Sequence, residues 1–600
     1  MRAVTTDGEI CEFGSEAPDA PGLDLLAVLI GSEGMFAIVT EVTVRLIPKP
    51  QVARVVMASF DDVESGGDAV AAIIAAGIIP AGLEMIDRGA ARAVEEFVHA
   101  GYDTDAAAFL LCESDGTDDE VAEEIERLTR LLKESGATHV ETSASEAERL
   151  RFWSGRKNAF PAAGRISPDY YCMDGTIPRR AFGRLLRRIS EMEERYKLRC
   201  INVFHAGDGN IHPLILFNGN DRAEWLRAEE FGADILETCV EFGGTVTGEH
   251  GVGVEKNKLD VRAVLTRRAG YVLCDQTCLR PAAASQSGQG HPHPCTLRRI
   301  WTSACARRLA APSRYPEVLM NDVIADSTLG PASELDAAAS VAREQFISTI
   351  QEACAKGRRL CIRGGVSKDW YGASRTGDAL DTRAYRGIVA YVPAELVITA
   401  RSGTPLVDIE QLLSSHGQML AFEPPHFGSG ATFGGCIAAG LSGPRRMSAG
   451  AVRDFVLGAS ILTGRGEHLR FGGQVMKNVA GYDVARLMAG SLGTLGLLLD
   501  ISVKVLPNAP ASATLRQEMN ASDAVRKLND WAGQPLPITA SSWHEGILTI
   551  RLEGARAAVR TACATLGGEM LANTAANVYW HSLREQHHMF FRSAAPGTKL

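Results

Sequence analysis

Runs of β-branched and aromatic residues, separated by helical patterns and glycine turns, set the rhythm of this chain. Arg54-Val55-Val56-Met57-Ala58-Ser59-Phe60 and Ala107-Ala108-Phe109-Leu110-Leu111-Cys112 read as strands. Between them, residues 61–76 and 90–100 carry helical patterns. Thr117 is placed to cap a helix over residues 118–135, which Gly136 stops; its charges form a solvated face. Cys200-Ile201-Asn202-Val203-Phe204 and Ile211-His212-Pro213-Leu214-Ile215-Leu216-Phe217 are two more strands. The Asp208-Gly209 pair between them is a two-residue hairpin signal, because both central residues of such a turn need positive φ. That turn predicts Gly207 opposite Asn210, Ala206 opposite Ile211 and His205 opposite His212. Further on, residues 337–356 form an amphipathic helix pattern, followed by the strand Arg359-Leu360-Cys361-Ile362 and a turn, Arg363-Gly364-Gly365-Val366-Ser367. Strands and helices intermingle throughout, which predicts an α+β fold.

The pattern also repeats. Gly31-Ser32-Glu33-Gly34, an apolar strand, an acidic residue, alternating β-branched positions and Pro48 recur as Gly490-Ser491-Leu492-Gly493 through Pro507, 459 positions later. So long a repeat indicates two copies of one domain. Some 170 residues of plausible domain precede the second copy and only 30 the first, so the first is read as a remnant. The expected organisation is a remnant over 1–50, an α+β substrate and metal domain over 51–262, an irregular junction over 263–316, a complete cofactor domain over 317–512 and a truncated cap domain over 513–600. The junction holds eight arginines against one aspartate, and its cysteines and histidines fit neither a zinc nor an iron–sulfur spacing. It is read as linker or out-of-frame sequence.

Bulk composition narrows the function classes. Six hundred residues exceed one core. A net charge of −10 argues against general nucleic-acid binding. No apolar run reaches the ~18 residues of a membrane span. Thirteen scattered cysteines without a disulfide framework, and no signal peptide at the start, give the expectation of a cytoplasmic protein, or one peripheral to the inner face of a membrane.

The candidate chemistry follows from the hairpin. Directly opposed side chains lie on one sheet face with Cβ atoms about 4.5–5.5 Å apart, so His205 and His212 can share a metal ion. Gly248-Glu249-His250-Gly251 offers a carboxylate as a third ligand and leaves His250 free to act as a base. On spacing alone, an ordinary histidine–aspartate hydrogen bond in a hairpin accounts for the same residues.

The run from His205 to Pro213, followed about forty residues later by Gly248-Glu249-His250-Gly251-Val252-Gly253, resembles the C-terminal domain of FAD-linked 2-hydroxyacid dehydrogenases, above all glycolate oxidase D subunits. Trp153-Ser154-Gly155-Arg156-Lys157-Asn158-Ala159-Phe160 and Pro168-Asp169-Tyr170-Tyr171-Cys172-Met173-Asp174 belong to the same resemblance. It implies His205, His212 and Glu249 as ligands of a divalent metal (zinc or manganese), His250 as proton acceptor, and Arg156 as the arginine for the substrate carboxylate.

The second half resembles the FAD-binding domain of the vanillyl-alcohol-oxidase type, most closely the glycolate oxidase E subunit. The carrying segments are residues 363–368, 428–445 and 472–483, together with Gly490-Ser491-Leu492-Gly493. Carried over, Arg363, Gly364, Gly365 and Ser367 with Gly434, Gly435, Gly440 and Ser442 cradle the pyrophosphate. Lys477, Asn478, Gly481 and Asp483 lie near the flavin. Val366 stands where the family often has a third glycine, and would be strained if that position needs φ > 0.

The resemblance implies FAD-dependent oxidation of glycolate or D-lactate to the 2-oxo acid, in a complex with an iron–sulfur electron-transfer subunit. Since the metal set lies in the first half and the complete flavin domain in the second, the alternatives are an FAD-binding subunit without turnover, or a damaged fusion. A metallohydrolase on His205, His212 and Glu249 would leave the flavin-type repeat unexplained.

Overall fold

In a computed structural model, the chain opens with a small antiparallel sheet of order β2-β1-β3. Its strands are β1 (Arg2–Thr5), β2 (Ile10–Glu12) and β3 (Ala37–Glu41). The structure describes residues 1–15, 22–253, 256, 332–373 and 376–593; the expected junction over 263–316 lies outside the described residues.

Eight strands then make the largest sheet: β4 (Val52–Phe60), β5 (Gly82–Asp87), β6 (Ala108–Gly116), β7 (His139–Thr142), β8 (Asp169–Cys172), β9 (Gly175–Thr176), β10 (Arg199–His205) and β11 (Asn210–Phe217). Their order is β7-β4-β6-β5-β10-β11-β8, with β9 also on β11, and every pair is antiparallel. The central strands are apolar on both faces because helices cover both. Val56, Ala58 and Phe60 face the helices Val63–Ala75, Asp118–Glu134, Phe182–Tyr196 and Arg222–Glu241, while Val55 and Met57 face Arg88–Val98, Glu146–Lys157 and Ala159–Ile166. The expected Thr117 cap forms a reciprocal capping box with Glu120.

The second half contains a parallel pair, β12 (Leu360–Arg363) with β13 (Asp378–Asp381), beside an antiparallel sheet. That sheet has β14 (Ile388–Val392), β15 (Val397–Arg401), β17 (Val456–Leu462), β18 (His468–Gly472) and β19 (Leu497–Lys504) in the order β14-β15-β19-β17-β18. A two-residue strand, β16 (Gln418–Met419), pairs with β20 (Leu506–Pro507). Last come β21 (Ala511–Glu518), β22 (Ile538–His544), β23 (Ile547–Gly554) and β24 (Glu569–Met570), an antiparallel sheet packed on helices Ala521–Ala532 and Arg556–Leu566.

The two halves share one buried core. Arg179 fastens them: its Nε donates to Gly207 O (2.6 Å) and its Nη1 to Glu395 O (3.1 Å), while the Glu395 carboxylate accepts from the amides of Arg179 and Arg180.

The internal repeat is visible in the backbone. Gly31, Glu33 and Gly34 have φ of 74°, 51° and 76°; their counterparts Gly490, Leu492 and Gly493 have 79°, 52° and 76°. Asp24 caps the helix Leu25–Leu29 by accepting from Ala27 N, and Asp483 caps Val484–Leu487 from Arg486 N, the same atoms 459 positions on. The likeness reaches further back along the chain than the shared motif does. The β1–β2 hairpin repeats the register of β17–β18, with Val4 opposite Ile10 and Leu462 opposite His468, 458 positions apart.

One buried carboxylate shapes the pH response. Asp87 accepts from Ala90 N (2.8 Å) to cap the helix after β5, and from Asn202 N (2.9 Å) and Nδ2 (2.8 Å). Burial outweighs these bonds and pushes its carboxyl from 3.8 up to about 6. The folded state thus holds the proton more tightly than the unfolded chain. This contribution to stability is complete below 3.8 and is lost as pH rises through about 6. In Asp87→Asn, melting temperature will therefore fall less than in the parent between those limits. Parallel melting curves for the two proteins would refute the assignment.

Candidate metal and flavin site

The hairpin that carries the histidines forms with a longer turn than expected. His205 pairs with Asn210 and Val203 with His212, so the loop is Ala206-Gly207-Asp208-Gly209 and the expected His205–His212 opposition is corrected to a diagonal. Only Gly209 in this loop takes positive φ (77°), so a two-residue turn at Asp208-Gly209 is not available. Gly209 is needed there: an added Cβ would lie 2.2 Å from Ile177 O. The register differs from expectation by two residues, which returns both imidazoles to the same face. Their ring centroids are 5.2 Å apart.

Three imidazoles converge on one carboxylate oxygen. Glu249 Oε1 lies 3.0 Å from His212 Nε2, 3.6 Å from His205 Nε2 and 3.8 Å from His250 Nε2. The loop bearing Glu249 and His250 is held by Asp174, which is fully buried. Asp174 accepts from Thr247 Oγ1 (2.6 Å), Asn210 Nδ2 (2.9 Å) and His250 N (2.8 Å), and pairs with Lys256 (3.3 Å). Burial raises its carboxyl, but these partners outweigh it and hold the group below the usual carboxylate range. Burial, and then the neighbouring His205, lower His212 and keep it neutral, the form that ligates.

Glu84 is the residue that sequence reasoning missed; Asp174 stands there only at the end of a motif, with no role given to it. Glu84, on β5, accepts from Arg156 Nε at 2.8 Å and is bonded to His205 Nδ1 at 2.7 Å, so it fixes the ring whose Nε2 faces Glu249. A carboxylate inside an apolar strand is the signal that could have found it. Arg156 is itself buried against Glu84.

From the second half, Lys477 reaches into the same cluster. Its Nζ donates to Glu249 Oε2 at 3.2 Å and pairs with Asp208 at 3.1 Å. Burial raises the Glu249 carboxyl, but Lys477, His205 and His212 together outweigh it and leave it lowered. The other three residues expected near the flavin serve the local backbone. Asn478 Oδ1 accepts from Ala480 N, Gly481 takes φ of 77°, and Asp483 caps Val484–Leu487.

The glycine-rich segments of the second half meet around a cleft of about 90 Å³. Gly364, Gly365, Ser367, Gly434 and Gly435 all line it. A Cβ on Gly365 would lie 1.2 Å from Gly430 O, so two loops touch there backbone to backbone. The Ser402 hydroxyl, on the same lining, is buried without a protein partner, which suits a donor to a phosphate. The remaining cradle residues serve the frame: Gly440 ends helix Phe433–Ala439, Ser442 Oγ accepts from Val452 N, and Arg363 pairs with Asp369.

Val366 has φ of 54°, the strained conformation expected of that position. Val366→Gly is therefore expected to raise stability by about 1 kcal/mol. An unchanged or lowered melting temperature would count against strain at this residue.

The model of FAD linked oxidases, C-terminal domain, matches residues 49–270, and that of the FAD binding domain matches residues 339–472. Glycolate oxidase subunit GlcD of Escherichia coli (strain K12) is 61% identical over 256 residues, 43% of this chain and 51% of that one. Subunit GlcE of the same organism is 51% identical over 255 residues, 42% of this chain and 71% of that one. A mitochondrial D-lactate dehydrogenase [cytochrome] of Arabidopsis thaliana is 29% identical over 262 residues, covering 43% of this chain and 46% of its own length. The chain thus spans about half the length of the GlcD relative.

Proposed function

Since the chain belongs to the FAD-linked oxidases, we propose that it oxidises a small 2-hydroxy acid, glycolate or D-lactate, to the 2-oxo acid at a site built by both halves. The observation that carries this reading is the meeting of Lys477, from the FAD-binding half, with Glu249 among the three imidazoles of the other half.

In this reading His205, His212 and Glu249 hold a divalent metal, zinc or manganese, which supplies Lewis acidity toward a hydroxyl oxygen. FAD supplies the hydride acceptor. His250, half exposed and beside the ligand set, accepts the hydroxyl proton as the C–H bond gives up its electron pair. Arg156 takes the substrate carboxylate, with Glu84 fixing its guanidinium. Lys477 keeps positive charge beside Glu249, and Glu84 holds the His205 ring in its orientation. An iron–sulfur subunit is the proposed partner that would take up the electrons. No helix among the described residues is long and apolar enough to cross a membrane, and a peripheral position at the inner membrane face is part of the proposal.

The test is the visible spectrum of the purified chain, before and after anaerobic glycolate or D-lactate. The flavin band is expected to bleach. A band that persists with both acids would leave an FAD-binding module without turnover and overturn the reading.

A further inference from the structure

The glycine-lined cleft of the second half contains a cation that no carboxylate neutralises. Among the described residues its lining has a single basic side chain, Lys368, and a single acid, Asp369, which Arg363 engages. Lys368 is half-buried and makes no ion pair among the described residues. The carboxylate that bears on it is Glu585, which is not paired with it.

The ammonium is held in place by a loop with other duties. Nζ donates to His426 O at 3.3 Å and lies 5.4 Å from the centre of the Phe427 ring. Both residues are fixed from a segment about 160 positions on: the buried Glu585 carboxylate accepts from His426 N (3.1 Å) and Phe427 N (2.7 Å). It also accepts from Arg584 Nε at 2.9 Å, so its charge is already spent. The same loop runs on to Gly430, whose carbonyl meets Gly365 at the cleft. An ammonium has three donors. One goes to a neutral carbonyl at long range, and burial works against the charge. A charge in this position costs stability unless a ligand brings the opposite one.

We propose that Lys368 is the counter-ion of the cofactor's diphosphate. Its ammonium supplies the positive charge, and the touching glycine loops supply the close backbone approach. The inference rests on FAD occupying this cleft and is independent of the oxidation of a 2-hydroxy acid.

The experiment titrates the flavin-free full chain with FAD, followed by the change in flavin fluorescence. Lys368→Met is expected to weaken FAD binding at least about tenfold and to make it less sensitive to added salt. Melting curves give a second readout. Without flavin, Lys368→Met should melt at or above the parent's temperature, because it removes an unpaired charge. FAD should then raise its melting temperature less than it raises the parent's. Unchanged affinity or a salt dependence equal to the parent's would overturn the proposal. So would a lower melting temperature already in the flavin-free form, which would give the ammonium a structural role. A parent chain that takes up no FAD would overturn the cleft assignment as well, and it is told apart by failing before any substitution is made.

Discussion

Gly365→Ala will purify with less than about a tenth of the parent's bound flavin. The argument is steric. A methyl group at this position falls 1.2 Å from Gly430 O, and a Cβ on Gly430 would in turn lie 2.7 Å from Gly365 O, so neither loop can yield without moving the other's backbone. These loops bring Gly364, Ser367 and Thr432 around the cleft, and parting them removes the close approach that a pyrophosphate requires. The measurement is the flavin band relative to protein absorbance, with a melting curve to show that the rest remains folded. Ser367→Ala removes one hydroxyl and no backbone fit, so it should lose much less flavin. Full flavin occupancy in Gly365→Ala would place the cofactor elsewhere.

The second large effect is expected at Glu249. Glu249→Gln keeps the shape but removes the charge on which His205, His212, His250 and Lys477 converge. Flavin should stay bound, because the cleft is untouched. Metal content should fall, and the rate at which a 2-hydroxy acid bleaches the flavin should drop by about a hundredfold or more. An unchanged metal content together with unchanged bleaching would remove Glu249 from the site.

Much of the fold is legible in the sequence because local rules and long-range packing agree. The Thr117 cap, the strands at 54–60 and 107–112, and the strained Val366 each follow from a few neighbouring residues. The site is legible by a different route. Spacing brings His205 and His212 to one hairpin face, but only the family resemblance separates a ligand set from a histidine–aspartate hydrogen bond. Glu84 and the role of Asp174 escape because they depend on partners 72 and 76 residues away. The turn at residues 206–209 departs from expectation because Asp-Gly favours a tight hairpin only if the aspartate takes positive φ. Here Gly209 is instead packed under Ile177.

The four-residue turn also governs how the gene can vary. Expected and observed loops differ by two residues, and both leave the imidazoles on the same side of the sheet. Parity, not length, is what keeps the two imidazoles on one face. A two-codon deletion in this loop would slide His205 and His212 into direct opposition, whereas a two-codon insertion would keep them on one face but draw them a further step apart. A single-codon change would turn one of them into the opposite core, where Phe182 and Phe204 stack. Variation at this loop should therefore be tolerated, where it is tolerated at all, only in even steps.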